Sequence, residues 1–294
     1  MPATILDGRK ISAEIRSELK EQTSALGRRG VVPGLAGILV GEDPGSVTYV
    51  GLKRKACEEV GIHEMMVRLP ESVNQADLIN TIEGLNRDPK VHAIFIQLPL
   101  PKHLSEEEAL AAIVPEKDVD GFHAMNVGRA WLAQPAFVPA VAIAIQEIVI
   151  RGGYTFAGKE VVIVNVDSMV GKPLASILVQ DNPKGRANVT LCHPTSPNLA
   201  TFTKRADVVV VSVNKPKFIV ADMIKDGAIV IDFGGTFVED PITKKRKTVG
   251  DVDFDAVKEK AGAITPVPGG VGPMLVTMLM FSTVNSANKA AGVR

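Results

Sequence analysis

The 294-residue sequence is poor in cysteine and in aromatic residues: two cysteines, one tryptophan and two tyrosines. Cys57 and Cys192 lie far apart, without a Cys-x-x-Cys and without clustering with the five histidines. That argues against a disulfide framework or structural zinc and for reduced thiols in a cytoplasmic protein. No apolar run reaches the roughly 18 residues of a membrane span. The start, Met1-Pro2-Ala3-Thr4, lacks the charged and apolar stretches of a signal peptide. Net charge is absent too, with Lys+Arg 33 against Asp+Glu 33, so nothing points to nucleic acid or a membrane surface. The one basic run, Lys244-Lys245-Arg246-Lys247, reads as an exposed hairpin tip. What is present is a globular profile, 46% hydrophobic and 22% charged, long enough for one large domain or two ordinary ones.

Apolar periodicity gives an α/β pattern. Residues 8–27 carry Ile11, Ile15, Leu19 and Leu26 on one helical stripe, and residues 34–41 form a short buried strand bounded by turns. A helix follows from a proposed N-cap at Ser46 to about Gly61, then a strand at 63–69, a helix at 74–87 and a strand at 92–98. The segment 115–123 is too polar and turn-rich for a regular element. A boundary is expected around 134–140, leading into a helix over 143–150. Strands are expected at 160–165, 188–192, 207–213 and 228–233, with a helix from about 171 to 180. A rigid Pro/Gly loop at 265–274 and a closing helix over 275–291, packing on the first domain, complete the chain. Strands alternating with helices imply parallel sheets, whose ligands collect beyond the carboxyl ends of the strands.

Tyr49 and Lys53 are four residues apart on the second helix, so they share a face. A phenol beside an amine makes a hydrogen-bonded catalytic pair if the amine is desolvated enough to lose its proton. The alternative is an amphipathic helix with a snorkelling lysine. A short-chain dehydrogenase also uses Tyr-x-x-x-Lys, but Gly41-Glu42-Asp43-Pro44-Gly45 lacks the glycine-rich cofactor turn that should precede the pair. Gln97, at a strand end, is expected to converge with Tyr49 and Lys53. Asp120 alone reads as a loop-capping carboxylate, Pro268-Gly269-Gly270 alone as a rigid turn, and Cys57 as core.

Four segments taken in order change this reading: Tyr49-x-x-x-Lys53, Gln97-Leu98-Pro99-Leu100-Pro101, Lys117-Asp118-Val119-Asp120-Gly121-Phe122-His123 and the loop 265–274. Together they resemble the methylenetetrahydrofolate dehydrogenase/methenyltetrahydrofolate cyclohydrolase family across nearly the whole chain. The resemblance implies a folate-binding α/β catalytic domain (1–137 plus 272–294), a Rossmann-like doubly wound domain (138–271), a folate cleft between them and a homodimer. It implies tetrahydrofolate one-carbon derivatives as ligands and NADP or NAD as cofactor. By the same resemblance Lys53 handles the proton, Tyr49 stacks on the folate, Gln97 tunes Lys53 and Asp120 accepts from the pterin. The backbone of Pro268, Gly269 and Gly270 lies close to the ligand.

The second domain departs from the family pattern. The expected Gly-Arg-Ser after its first strand is Asn165-Val166-Asp167, removing the arginine that pairs with a 2′-phosphate and adding a carboxylate. The serine after Cys-His is Pro194, the glycine before Lys215-Pro216 is Asn214, and Gly-Ile-Asn is replaced by Gly234-Gly235-Thr236. Asn165, Val166, Asp167, Pro194 and Thr236 are therefore the cofactor-contact positions. Either NADP is still held through backbone contacts, or use has shifted to NAD, with Asp167 accepting from a free ribose hydroxyl. A monofunctional cyclohydrolase that has lost the dehydrogenase, or a non-catalytic folate binder, remains as an alternative. Retained Lys53 and Gln97 weigh against the binder.

Overall fold

The computed structural model describes residues 2–239 and 246–293. The chain divides into two compact units, one of residues 1–12 with 141–275 and one of 13–140 with 276–294.

The second of these contains a three-stranded parallel sheet in the order β3-β2-β4, with β2 at Gly34–Val40, β3 at His63–Leu69 and β4 at Ala93–Ile96. All seven β2 residues are buried, as expected for a central parallel strand covered on both faces. Helix α2 (Pro44–Val60) links β2 to β3, and α3 (Gln75–Arg87) links β3 to β4. Leu78 and Ile82 of α3 sink into a core with Ala36, Ile38, Ile94 and Ile96. Asn74 caps α3, its side chain accepting from the Asp77 N–H at 2.9 Å. Two short helices that the periodicity does not mark, α4 (Glu106–Ala112) and α5 (Ala124–Trp131), follow β4.

The other unit is a six-stranded parallel sheet in the order β1-β11-β8-β7-β5-β6. Its strands are β1 (Thr4–Ile5), β5 (Glu160–Val164), β6 (Asn188–Cys192), β7 (Val208–Val211), β8 (Ile229–Asp232) and β11 (Ala263–Ile264). From β5 the chain goes to one neighbour, β6, and then returns to the other side at β7. The β5/β7 pair is thus the topological switch point of a doubly wound sheet. Helix α6 (Ala140–Arg151) precedes β5, and α7 (Gly171–Leu178) joins β5 to β6. The short helices α8 (Leu199–Thr203) and α9 (Phe254–Val257) flank the later strands. An antiparallel ribbon, β9 (Thr236–Glu239) with β10 (Arg246–Val249), follows β8. Arg246 and Lys247 of the basic run lie in β10; Lys244 and Lys245 fall outside the described residues.

The domain expectation needs one correction. Thr4 and Ile5 pair in parallel with Ala263 and Ile264, so the first 12 residues belong with the doubly wound sheet and not with the N-terminal unit. Helix α1 (Gly8–Gly27) begins there, its Gly8 N–H donating to Gly269 O at 2.9 Å. A Cβ at position 8 would collide with the carbonyl of Gly270, so only glycine fits. The closing helix, α10 (Met274–Ala290), runs from Val276 onward as part of the unit of residues 13–140.

Candidate active site and dinucleotide crevice

Asp43, not Ser46, caps α2. Its carboxylate accepts from the Ser46 N–H at 2.8 Å, and Pro44 occupies the first helical position, where its missing N–H costs nothing. Tyr49 and Lys53 therefore sit on successive turns as the spacing predicts, but their environments differ. The Tyr49 side chain is 54% exposed, whereas Lys53 is partly buried and its Nζ donates to Gln97 Oε1 at 3.2 Å. The partner of the amine is the Gln97 amide, so the expected phenol–amine pair is not formed.

Gln97 is itself oriented. Its Nε2 donates to Leu98 O at 2.9 Å, which turns Oε1 towards Lys53. Two residues earlier on the same face lies Phe95, wholly buried, with its ring centroid 3.7 Å from Lys53 Nζ. Phe95 escaped the sequence analysis, although a period of two back from Gln97 points to it. An amine with an amide and a ring as neighbours is poorly solvated, and burial lowers the Lys53 pKa, with Asp120 partly opposing.

Asp120 reaches this group because residues 117–119 run alongside β4. Ile94 N–H donates to Lys117 O at 2.6 Å, and Val119 N–H donates to Ile94 O at 3.3 Å, forming a parallel bridge that aligns Asp118 with Ile94. Buried Asp118 accepts from His123 N–H at 2.8 Å and Asn126 Nδ2 at 2.9 Å, fixing the turn that presents Asp120. Gly121 takes φ 70°, and a Cβ there would strike the backbone of Val138. His123 begins α5, its Nδ1 accepting from the Met125 N–H at 3.0 Å. Lys117 Nζ ties the end of α3, donating to Asn86 O at 2.7 Å and Asp88 O at 2.8 Å. Burial pushes the Asp120 carboxyl up to about 6; Lys53 pulls it down and Asp118 pushes it up. An amine that sheds its proton readily thus sits near a carboxyl that gains one readily. Cys57 lies in the core against Met280, its thiol pushed up to about 12 by burial.

In the doubly wound unit, Asn165 and Asp167 follow β5 and build the switch-point loop together. Asn165 Nδ2 donates to Ser212 O, just past β7, and to Asp167 Oδ2, each at 2.8 Å. Its Oδ1 accepts from Asp167 N–H and Gly171 N–H, each at 2.9 Å. Asn165 does not take the left-handed backbone a glycine substitute allows; it works through its side chain. Asn214 does take it, with φ 54°. Val166 lies beside Asp167, and Pro194 stands two residues past the end of β6, after His193, whose Nδ1 lies 2.7 Å from Thr195 Oγ1. Thr236, the first residue of β9, has a buried hydroxyl with no hydrogen-bond partner among the described residues. Pro268, Gly269 and Gly270 also belong to this unit, with Gly269 at φ 123° and the Gly270 N–H donating to Pro266 O at 2.7 Å. Among the described residues there is no metal-binding cluster and no helix long and apolar enough to cross a membrane.

The tetrahydrofolate dehydrogenase/cyclohydrolase catalytic-domain model matches residues 6–120, and the NAD(P)-binding-domain model of the same family matches residues 139–291. The chain belongs to the tetrahydrofolate dehydrogenase/cyclohydrolase family. A bifunctional FolD protein of Dehalococcoides mccartyi is 49% identical over 294 residues, 100% of this chain and 99% of the relative. A methylenetetrahydrofolate dehydrogenase/cyclohydrolase of Campylobacter jejuni is 41% identical with a TM-score of 0.91, covering 98% of this chain and 99% of that one. The Trypanosoma brucei family member, solved with NADP and an inhibitor, is 37% identical with a TM-score of 0.89, covering 99% of each chain. The family assignment gives the two halves of this chain their chemistry, catalytic in the first and dinucleotide-binding in the second.

Proposed function

We propose that the chain is a bifunctional enzyme of one-carbon folate metabolism, hydrolysing 5,10-methenyltetrahydrofolate to 10-formyltetrahydrofolate and oxidising 5,10-methylenetetrahydrofolate with a nicotinamide dinucleotide. The observation that carries the cyclohydrolase half is Lys53, donating to the neutral Gln97 amide above the Phe95 ring with its proton affinity lowered by burial. A neutral amine in that place takes a proton from the water attacking the amidinium carbon and returns it to the departing ring nitrogen. Gln97 positions the amine without adding a charge that would hold its proton. Asp120 accepts from the donor edge of the pterin, and exposed Tyr49 offers its ring face to the ligand.

For the dehydrogenase half, the crevice at the ends of β5 and β7, with the unpartnered Thr236 hydroxyl, fits a dinucleotide. Asn165, Val166, Asp167, Pro194 and Thr236 are the residues that would hold it. Bound there, the nicotinamide supplies the hydride acceptor, and the protein supplies orientation. Full-length similarity to bifunctional relatives weighs against a monofunctional cyclohydrolase and against a non-catalytic binder. We read the assembly as a cytoplasmic homodimer.

The test is Lys53→Ala. Cyclohydrolase turnover is expected to vanish while folate binding by calorimetry stays within a few-fold of the parent. Normal turnover would remove Lys53 from the mechanism.

A further inference from the structure

Two buried carboxylates, Asp232 and Asp251, back the carboxyl ends of β7 and β8. Asp232 is the last residue of β8 and is 3% exposed; Asp251 stands two residues past β10 and is wholly buried. Each accepts from backbone N–H groups. Asp251 Oδ2 takes those of Val213 at 2.6 Å and Asn214 at 3.0 Å, and its Oδ1 takes that of Lys215 at 2.7 Å. Asp232 Oδ1 takes Gly234 N–H at 2.8 Å and Asp251 N–H at 3.0 Å, and its Oδ2 takes Val252 N–H at 2.9 Å. The two act in series: Asp232 fixes the backbone of Asp251, and Asp251 fixes the segment after β7. A Cβ at Gly234 would collide with the Asp251 carboxylate, and one at Gly250 with that of Asp232.

Successive N–H groups converging on one anion form a nest, and here the chain fills it with its own carboxylate. The nest includes the left-handed Asn214, at φ 54°. The segment held in this way ties together the loops after three strands. Ser212 O receives Asn165 Nδ2 from the loop after β5 at 2.8 Å, and Asn214 Oδ1 receives the Gly235 N–H from the loop after β8 at 3.3 Å. Ser212 Oγ also donates to Phe233 O at 3.3 Å. With no exposed surface, Asp251 does not itself reach a ligand.

We propose that Asp251, braced by Asp232, is the positioning residue of the dinucleotide crevice: it presets residues 212–215, and through them the loops after β5 and β8, in the form that binds. The inference rests on the dinucleotide reading above and adds the residue that organises that site. Preset loops spare a ligand the entropy of ordering them, so the effect falls on affinity.

The experiment begins with the unliganded full-length protein. In hydrogen exchange read by mass spectrometry, the amides of residues 213–215 are expected to be protected before any dinucleotide is added. Rapid exchange that only added NAD or NADP suppresses overturns the preset loop, and this arm needs no variant. Asp251→Asn keeps the size but turns one acceptor oxygen into a donor, so at least one of the three amides loses its partner. It is expected to weaken calorimetric binding of the better-bound of NAD and NADP about tenfold. KM for that dinucleotide should rise alike, with dehydrogenase kcat little changed. Ile224→Ala truncates the same core on the amino-terminal approach to β8, the end of the strand opposite the crevice, and supplies a thermal loss for comparison. A folded Asp251→Asn variant that binds like the parent, or an Ile224→Ala variant that loses as much affinity, overturns the proposal while the dinucleotide reading stands. A parent that binds neither dinucleotide overturns both.

Discussion

Gly37 and Phe95 face each other across the β2–β4 ladder, and the side chain missing from the first is the space filled by the ring of the second. A Cβ at Gly37 would lie 2.5 Å from the Phe95 ring and 2.5 Å from the end of Met66. Because Lys53 rests on that ring, the glycine sets the height of the proposed proton carrier from one strand away.

Gly37→Ala should therefore do two things at once. Overpacking should cost about 1–3 kcal/mol of stability, and the displaced ring should lower cyclohydrolase kcat more than it changes KM. Gly84→Ala in α3, where an added Cβ meets nothing within 4 Å, is the control and should stabilise by about 0.5–1 kcal/mol with unchanged kinetics. Thermal melts and steady-state assays on both variants decide it; equal behaviour would sever the link from Gly37 to Lys53.

Asp118 shapes the turn without touching the chemistry. Asp118→Ala strands the His123 N–H, at a cost of about 1–3 kcal/mol for a buried group left unpaired, and removes one of the two acceptors of the Asn126 amide, which keeps Pro115 O. Since the same turn presents Asp120, KM for the methenyl substrate should rise several-fold while kcat falls little. A loss confined to kcat would place Asp118 in the proton transfer instead.

The Asp120 carboxyl, pushed up to about 6, is ionised at neutral pH and protonated in mild acid. In its proposed role as acceptor for the pterin edge it fails when protonated, so KM should climb as pH falls through about 6. Lys53 loses its proton more readily than an ordinary lysine, so kcat should rise with pH, after subtraction of uncatalysed hydrolysis. In Asp120→Asn, KM should be high and flat across this range. A KM profile that still bends near 6 would assign the titration elsewhere.

Asp232 gives a stability counterpart. It accepts from Gly234, Asp251 and Val252 N–H groups, yet burial pushes it from 3.8 up to about 6, with Asp251 adding to the rise. The folded state thus binds this proton more tightly than the unfolded chain. Its contribution to stability is complete below the unfolded value and is lost as pH rises through about 6. Asp232→Asn is expected to flatten the fall in Tm over that interval, whatever its effect on the absolute Tm. An unchanged slope would mean that Asp232 does not titrate there.

The sequence made most of the unit of residues 13–140 legible, because long periodic segments dominate it; the strand at 63–69 has the expected bounds. Lys53 and Gln97 were legible as a pair because both stand at motif positions after strand ends. Asp43 was not, since aspartate and serine both cap helices and Pro44 moved the start three residues back. Phe95 hid inside an apolar run where every residue looks like core. Thr4–Ile5 is too short for any period and finds its partner more than 250 residues away. At Asp167 the sequence displayed a charge; the amides that hold it appear only when the loop closes.

The placement of β1 also bears on how this protein can be divided. Its strand lies outermost in the doubly wound sheet, beside β11, although it precedes everything else in the chain. A fragment of residues 141–275 would leave β11 with an open edge of unpaired backbone groups, ready to recruit foreign strands. Splitting the gene at the midpoint therefore yields a half that has lost its outermost strand and bares the otherwise buried β11. A faithful excision of that half carries the first dozen residues with it, most simply as a circular permutation.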